Sequence, residues 1–558
     1  MSAPVNRRTV LQGLGLGATA TFLSACLPGE TPSSMAQRPG NTPAPPTLAP
    51  GPPGSGRIRR GGRVITAWAE EPMTYDPAVA WDPQAWEAIS TVLNTPLLQF
   101  DGAHGGPAPS AAADLPEISD DGRTYTLRLR HDVRFHNGRR VVADDYIYSW
   151  TRVLDPELAS WASSYLLSIE GATAYSEGKA KRVSGLRRVD AHTLRVRLTA
   201  PDITFVHVLC QPYMAAVPRE EVERLGKEFG RRPVGTGPFM SASYDGKARK
   251  SVFRRNPHYF QKGTPFIDTL EYRWGISSDL GLLQLRKGQI DVLGDGIPSS
   301  LGPQVRADPG LGSKYTLDVP VRATSWLAFN FGRPELRDRR VRQALNLATD
   351  RENLMKLTYG TQEPWGLPLP KELPGYRRTA KPYDYDPERA KSLLAAAGVR
   401  RLRLEFLHSG EDPWGNLSQV LQQQWSAVGV DLVLKQMSKS AFDEATYDKQ
   451  GDVYPARWYM AMPNALDLAG QCFASDGSSN YTGYSNGRVD ALLTQARRST
   501  GEKQSMTAIA RAEEILKDDA PAVFLSSLRF LAARSPRVRD YTMRGETAAY
   551  YDRLWVSE

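Results

Sequence analysis

The chain has 558 residues, 41% of them hydrophobic and 23% charged, with 70 Lys and Arg against 61 Asp and Glu for a net charge of +9. This is the profile of a globular protein long enough for several structural units, at roughly 150 residues each, and it excludes disordered, fibrous and disulfide-stapled classes. The basic residues are scattered, so the charge argues for solubility and gives no ground for nucleic-acid recognition.

The first 25 residues read as an export signal. Arg7 and Arg8 precede Thr9-Val10-Leu11, and an apolar run from Gly13 closes on Leu23-Ser24-Ala25-Cys26. That run is too short for the roughly 20 residues of a membrane-spanning helix. The closing string resembles a bacterial lipobox, which makes Cys26 the acylated first residue of the mature chain. The arginine pair resembles a twin-arginine signal, the weaker of the two matches. Cleavage leaves a net charge near +7, because residues 1–25 contain no acids. Residues 26–56 hold nine prolines among Ser, Thr, Ala and Gly. Such a stretch cannot bury a core, and it serves as a semi-rigid tether reaching up to ~3.1 Å per residue.

Beyond the tether, strands and helices interleave. Arg63–Ala69 and Thr124–Arg130 carry strand patterns, the second alternating at period two. Further strands are expected at Thr193–Leu198, Leu270–Trp274, Leu402–Leu407 and Asp431–Gln436. Helical spacing marks Ala143–Leu154, Asp338–Thr349, Pro387–Ala397, Leu417–Val428, Val489–Arg498 and Met506–Lys517. Asp386-Pro387 starts a helix, and Gly398 and Gly429 end two. The fold class is therefore mixed α/β.

Enzyme constellations are missing at the spacings their chemistry requires: no phosphate-binding G-x-x-x-x-G-K-[ST], no H-E-x-x-H and no G-x-S-x-G elbow. Of the seven histidines only His131 and His136 fall close together. They lack Cys or carboxylate partners at ligand spacing, and His136-Asn137-Gly138 reads as a turn, so no metal and no cofactor is expected. Asp144-Asp145 and Asp518-Asp519 read as solvated helix ends. Besides Cys26 the cysteines are Cys210 and Cys472, with no C-x-x-C pair. Both lie among apolar neighbours and are expected as buried free thiols, a bond between them being the alternative.

Several strings along the chain resemble the family 5 extracellular solute-binding proteins, the peptide- and nickel-binding lipoproteins of ABC importers. They begin with Tyr75-Asp76-Pro77, Asp120-Asp121-Gly122, Val133-Arg-Phe135-His136-Asn137-Gly138 and Ala143-Asp144-Asp145-Tyr-Ile-Tyr-Ser149-Trp150. Further on come Val234-Gly-Thr-Gly-Pro238-Phe239, Arg255-Asn256-Pro-His-Tyr259, Leu327-Ala-Phe329-Asn330, Val341-Arg342-Gln343-Ala344-Leu345, Asn480-Tyr481-Thr-Gly483-Tyr484 and Ala520-Pro521. The resemblance implies the large two-lobed periplasmic-binding-protein fold with a domain inserted in the N-terminal lobe. Lobe I would comprise 57–96, 203–318 and 526–558, the inserted domain II 97–202, and lobe III 319–525. It implies a monomeric, lipid-anchored protein of the cell envelope that encloses a peptide or similarly sized solute between its lobes and delivers it to a permease and ATPase complex, without catalysis. The alternatives are a non-peptide ligand such as an oligosaccharide or metal chelate, and a sensor or chaperone on the same fold.

One departure concerns the ligand. Peptide binders of this family carry a motif like G-W-x-A-D-Y-P-D-P, whose Trp packs on the ligand and whose Asp pairs with its α-ammonium. Here the segment reads Arg457-Trp458-Tyr459-Met460-Ala461-Met462-Pro463-Asn464-Ala465, with Ala461 in place of the Asp. Asp467, one turn on, is the candidate substitute. The expected ligand-binding set is Trp458, Tyr459, Arg457, Asn330, Tyr75 and Asp467. Arg457 suits an acidic group, Asn330 is expected near the hinge, and Tyr75 on a loop facing the cleft. Met460 and Met462 could complete an apolar wall, with core packing as their alternative. Asp144, Asp145 and Gly138 are expected to stabilise domain II.

Overall fold

A computed structural model describes residues 58–557, apart from 101–105, 309, 311–314, 374–375, 377, 411–412 and 544–547. The export signal, Cys26 and the tether lie outside the described residues. Most expected elements form within a few residues of their expected bounds, including helices Ala143–Val153, Arg339–Leu347, Pro387–Ala396 and Trp414–Ser426 and strands Thr124–Arg128, Leu402–His408 and Val430–Gln436. Asp386 caps its helix by accepting from Arg389 N at 2.9 Å. Gly398 and Gly429 take the left-handed φ of +76° and +89° that a glycine stop permits.

The main sheet has eleven strands and runs through both lobes. Its C-terminal half places Val430–Gln436, Leu402–His408 and Val453–Tyr459 beside the long strand Thr316–Phe329. Its N-terminal half places Val292–Leu293, Arg63–Ala67, Thr269–Arg273, Lys250–Arg255 and Phe239–Asp245 in that order. Joining them is the strand Ala522–Arg534, which pairs along one edge with Thr316–Phe329 and along the other with Gln362–Pro364 and then Val292–Leu293. The sheet of the C-terminal lobe is covered on both faces. Leu404, Phe406, Val453 and Trp425 pack on one side, and Tyr454, Phe524, Leu468 and Leu516 on the other. Along Leu402–His408, Leu402, Leu404 and Phe406 are buried on the first side, whereas the other face carries Arg403 and Glu405 before Leu407 enters the second core.

The two long strands cross between lobes at an irregularity. Pro320 pairs with Arg529 and Thr324 with Ser527, so Val321, Arg322 and Ala323 stand against Leu528 alone. Pro320 has no N–H to give the ladder. At this crossing the Arg529 guanidinium donates to Asp318 at 2.6 Å from its own ladder and to Glu363 at 2.5 Å from the C-terminal lobe.

The inserted unit has its own antiparallel sheet, Glu117–Ile118, Thr124–Arg128, Thr193–Arg197 and Leu186–Asp190, and its own core around Trp150, Phe135, Leu127 and Leu194. Asp145 braces the start of the Ala143–Val153 helix. It accepts from Val142 N at 2.9 Å and pairs with both Nη atoms of Arg139 at 2.7 and 3.0 Å. His136 bridges to the N-terminal lobe through Gly235 N and Gly237 O, and burial pushes it down to about 4, so it stays neutral. The histidine that meets His131 is His192, with ring centroids 4.0 Å apart, and not His136.

Two features fasten the N-terminal lobe. The buried carboxylate of Glu87 accepts from Tyr272 Oη and Tyr551 Oη at 2.8 Å and from Ala549 N at 2.9 Å, tying the C-terminal segment to the lobe. Burial raises Glu87 to about 7. In Tyr75-Asp76-Pro77, Asp76 receives both Nη atoms of Arg152, at 2.7 and 2.5 Å, from the inserted unit. Removing one partner of such a pair strands a buried charge at a cost of about 3–5 kcal/mol. Asp76→Ala is therefore expected to lower the calorimetric melting temperature by several degrees, and adding Arg152→Met to recover part of the loss.

Candidate functional site

Strand Val453–Tyr459 leads to the lobe crossing. Tyr459 stands opposite Ala323, Trp458 opposite Thr324 and Arg457 opposite Ser325. The pleat sends alternate side chains to opposite faces. Trp458 shares its face with Tyr454 and Trp326, whereas Arg457 and Tyr459 point the other way, the guanidinium 5.9 Å from the Tyr459 ring centroid. Tyr459 is 51% exposed. The three consecutive residues therefore do not form one wall.

After the strand, Met460 N donates to Arg322 O at 2.8 Å, and Met460 and Met462 are buried as core residues. Ala461 O accepts from Gln211 Nε2 at 3.0 Å, a direct bond to the segment that leaves the inserted unit. Asn464 then caps the helix Ala465–Cys472 by accepting from Leu466 N at 2.9 Å. This places Asp467 in the first helical turn, where a carboxylate is favoured.

Asp467 is 2% exposed. Its Oδ2 accepts from Met462 N at 3.3 Å, while its Oδ1 has no hydrogen-bond partner. Burial raises its pKa to about 6, partly offset by nearby N–H groups and by Arg497. The Trp458 indole faces this carboxylate, but Nε1 falls short of a hydrogen bond and is left unpaired. Tyr165 and Tyr213 approach from the other side, their phenols pushed up by burial and then by nearby charge, that of Asp467 included. Tyr213 Oη is also buried and unpaired. Three orphaned polar atoms, Asp467 Oδ1, Trp458 Nε1 and Tyr213 Oη, thus share one neighbourhood where the C-terminal lobe meets the inserted unit. Unpaired buried groups typically cost about 1–3 kcal/mol each. All three atoms are enclosed in this structure.

An aromatic group backs this neighbourhood. Tyr213 lies 5.5 Å from Tyr165, 5.6 Å from Trp161 and 6.3 Å from Trp86 between ring centroids. Trp86 continues into a cavity of about 70 Å³ bordered by Ala461, Cys210, Gln211, Asn94 and Asp552, where Asn94 Nδ2 has no partner. Cys210 and Cys472 are both buried and form no disulfide, and burial raises the Cys472 thiol.

Two expected site residues lie elsewhere. Tyr75 is 1% exposed in the core of the N-terminal lobe, edge-on to Phe253 with Oη donating to Ser251 at 2.9 Å. In this structure Tyr75 is part of that core, away from Trp458 and Asp467. Asn330 follows the end of its strand far from the crossing and fastens a loop: Nδ2 donates to Lys449 O and Gly451 O at 2.6 and 2.8 Å, and Oδ1 accepts from Gly332 N. Trp458 and Asp467 lie close to one another. Tyr165 and Tyr213 were not expected, because more than 240 residues separate them from Asp467; the close Trp161 and Tyr165 were the only signal.

The family model for bacterial extracellular solute-binding proteins, family 5, middle region, matches residues 106–480. The di/tripeptide-binding protein 2 of Pseudomonas aeruginosa (strain UCBPP-PA14) is 27% identical over 512 residues, covering 87% of this chain and 93% of the relative. Heme-binding protein A of Haemophilus influenzae (strain ATCC 51907 / DSM 11121 / KW20 / Rd) is 26% identical over 504 residues, covering 85% of this chain and 88% of the relative. The periplasmic murein tripeptide binding protein MppA, in its unliganded open form, shares the fold with a TM-score of 0.77 at 24% identity, over 89% of this chain and 98% of that structure.

Burial raises the folded-state pKa of Asp467 above the ordinary aspartate value, to about 6. Its contribution to stability is therefore complete below pH 4 and declines as pH rises through about 6, by roughly 3 kcal/mol at 1.4 kcal/mol per unit. Asp467→Asn should leave ligand-free stability nearly unchanged at pH 4 and raise it at pH 7.5. Thermal melts at both values check this, with Glu87 contributing equally to both proteins.

Proposed function

The chain belongs to the bacterial extracellular solute-binding proteins of family 5, and on that basis we propose that it is the substrate-binding component of an ABC importer. It captures oligopeptides or solutes of similar size and hands them to the membrane permease, without catalysing a reaction. The family and its structural neighbours are binding proteins. Lobe I comprises 57–96, 203–318 and 526–558, domain II 97–202 and lobe III 319–525. Contacts made by both sides exist only when the lobes close, so ligand shifts the population toward closure. The break in the ladder between Pro320 and Thr324 supplies the hinge.

The observation that carries the peptide reading is the orphaned Asp467 carboxylate facing Trp458 and Tyr213. A free peptide N-terminus offers an α-ammonium for Asp467 Oδ1 and, one residue on, a carbonyl for the indole or phenol donor. Asp467 thereby takes the role that Ala461 has vacated, and Trp458 packs on the ligand. Arg457 and Tyr459, on the opposite pleat, meet a more distant part of it. A non-peptide ligand is the second reading, favoured by Ala461 itself, which removes the family's ammonium partner.

Thermal-shift titration with a pool of tri- to pentapeptides decides between them, since a ligand that binds the native state raises apparent stability. The free pool should raise the melting temperature, the N-acetylated pool should not, and Asp467→Asn should abolish the response. Trp458→Ala should weaken it tenfold or more. No shift with either pool, alongside a shift with oligosaccharides or metal chelates, would establish the second reading.

The chain is further proposed to be a monomeric lipoprotein, exported and held at the membrane by an acylated Cys26. Metabolic labelling with an alkyne fatty acid should mark the wild type and leave Cys26→Ala unmarked.

A further inference from the structure

Away from the lobe crossing, helices Gly487–Arg498 and Glu502–Asp519 pack antiparallel and leave a groove of about 550 Å³ between them. Its lining is Gln495, Arg498, Ser499, Thr500, Lys503, Gln504, Thr507, Ala508 and Arg511. Three cations stand in it with no carboxylate on its walls. Among the described residues no carboxylate lies within ion-pair distance of Arg498, Lys503 or Arg511, unlike Arg339, which pairs with Asp518, and Arg219, which pairs with Glu223. Arg497, next in the chain, points away to Asp202 at 3.7 Å.

Lys503 is placed against the local field. It sits in the first turn of its helix, where the backbone already presents partial positive charge, and a cation there is disfavoured by roughly 0.3–1 kcal/mol. Gly501 caps that helix without a side-chain hydrogen bond, and Glu502 is the one acidic residue of its first turn, outside the groove lining. The groove therefore concentrates donors and positive charge and supplies no acceptor of its own charge type.

We propose that this groove binds phosphate groups, and that the phosphate it meets is that of an anionic lipid headgroup at the membrane to which the chain is tethered. A volume of 550 Å³ exceeds that of a single phosphate several-fold and admits a glycerophosphate head with its phosphate between Arg498, Lys503 and Arg511. Docking there would orient the lobes relative to the bilayer, independently of the ligand held at Asp467.

The test uses full-length Cys26→Ser protein, so that no acyl chain contributes, and compares it with the same protein carrying Arg498→Gln, Lys503→Gln and Arg511→Gln. Probes are vesicles of phosphatidylglycerol and phosphatidylethanolamine, vesicles of phosphatidylethanolamine and phosphatidylcholine alone, and soluble glycerol 3-phosphate. At about 50 mM salt the parent should bind the phosphatidylglycerol vesicles about 100-fold more tightly than the triple variant, near a factor of five per cation, and the difference should shrink at 200 mM. Both proteins should keep the same melting temperature and the same peptide response, which separates this groove from the solute site. Equal binding of soluble glycerol 3-phosphate by parent alone would support the phosphate site and assign it a free ligand. Binding to every probe that the triple substitution leaves unchanged, or no binding by either protein, would overturn the proposal.

Discussion

Every part of the architecture depends on one ladder, the antiparallel pair Thr316–Phe329 and Ala522–Arg534. It is the seam at which the parallel strands of the C-terminal lobe and the mixed strands of the N-terminal lobe become one sheet. A continuous ladder of this length would resist bending, because every opened pair would expose an N–H and a carbonyl. The three residues facing Leu528 and the missing N–H of Pro320 confine that loss to one place. Arg529 spans it, holding Asp318 on one side and Glu363 on the other, so the crossing is compliant in angle while remaining fixed in position.

The chemistry gathers beside this crossing for the same reason. Val453–Tyr459 ends there, and the chain must turn immediately into Ala465–Cys472, which brings Trp458 and Asp467 together across the turn. Neither is satisfied by its own lobe. The partners that approach, Tyr165 and Tyr213, belong to segments on the far side; burial and the nearby Asp467 charge keep their phenols neutral, and neither hydrogen-bonds the carboxylate. A carboxylate with a pKa near 6, an unpaired indole and an unpaired phenol add up to a place where the polypeptide alone is not the best state of the system. On the proposed reading a solute supplies what is missing.

Much of this was legible in the residues. Helix bounds followed from apolar spacing and from signals such as Asp386-Pro387 and Gly398, since caps and stops act locally. The family strings were equally readable, but their roles were not. Asp76 proved to be a clamp for Arg152, Tyr75 a core residue and Asn330 a loop fastener, because a motif records that a position is constrained without recording by what. The long central strands were under-read: Val319-Pro320-Val321 interrupts the pattern of the first, and Ser526-Ser527 interrupts the second. Both interruptions mark the crossing, where tertiary pairing overrides local propensity. The consecutive Arg457-Trp458-Tyr459 invited a single wall, and period-two alternation separates them. Tyr165 and Tyr213 reach Asp467 only through the fold.

The strand at the centre of the sheet is also nearly the last to be made. Residues 522–534 follow every other strand of the main sheet in the sequence, and until they are made Thr316–Phe329 and Val292–Leu293 each lack a neighbour that no earlier segment replaces. The inserted unit has its own sheet well before then, but the two lobes cannot join. Until that strand is made the seam stays open, and the rigidity of the whole sheet waits on the segment that closes it.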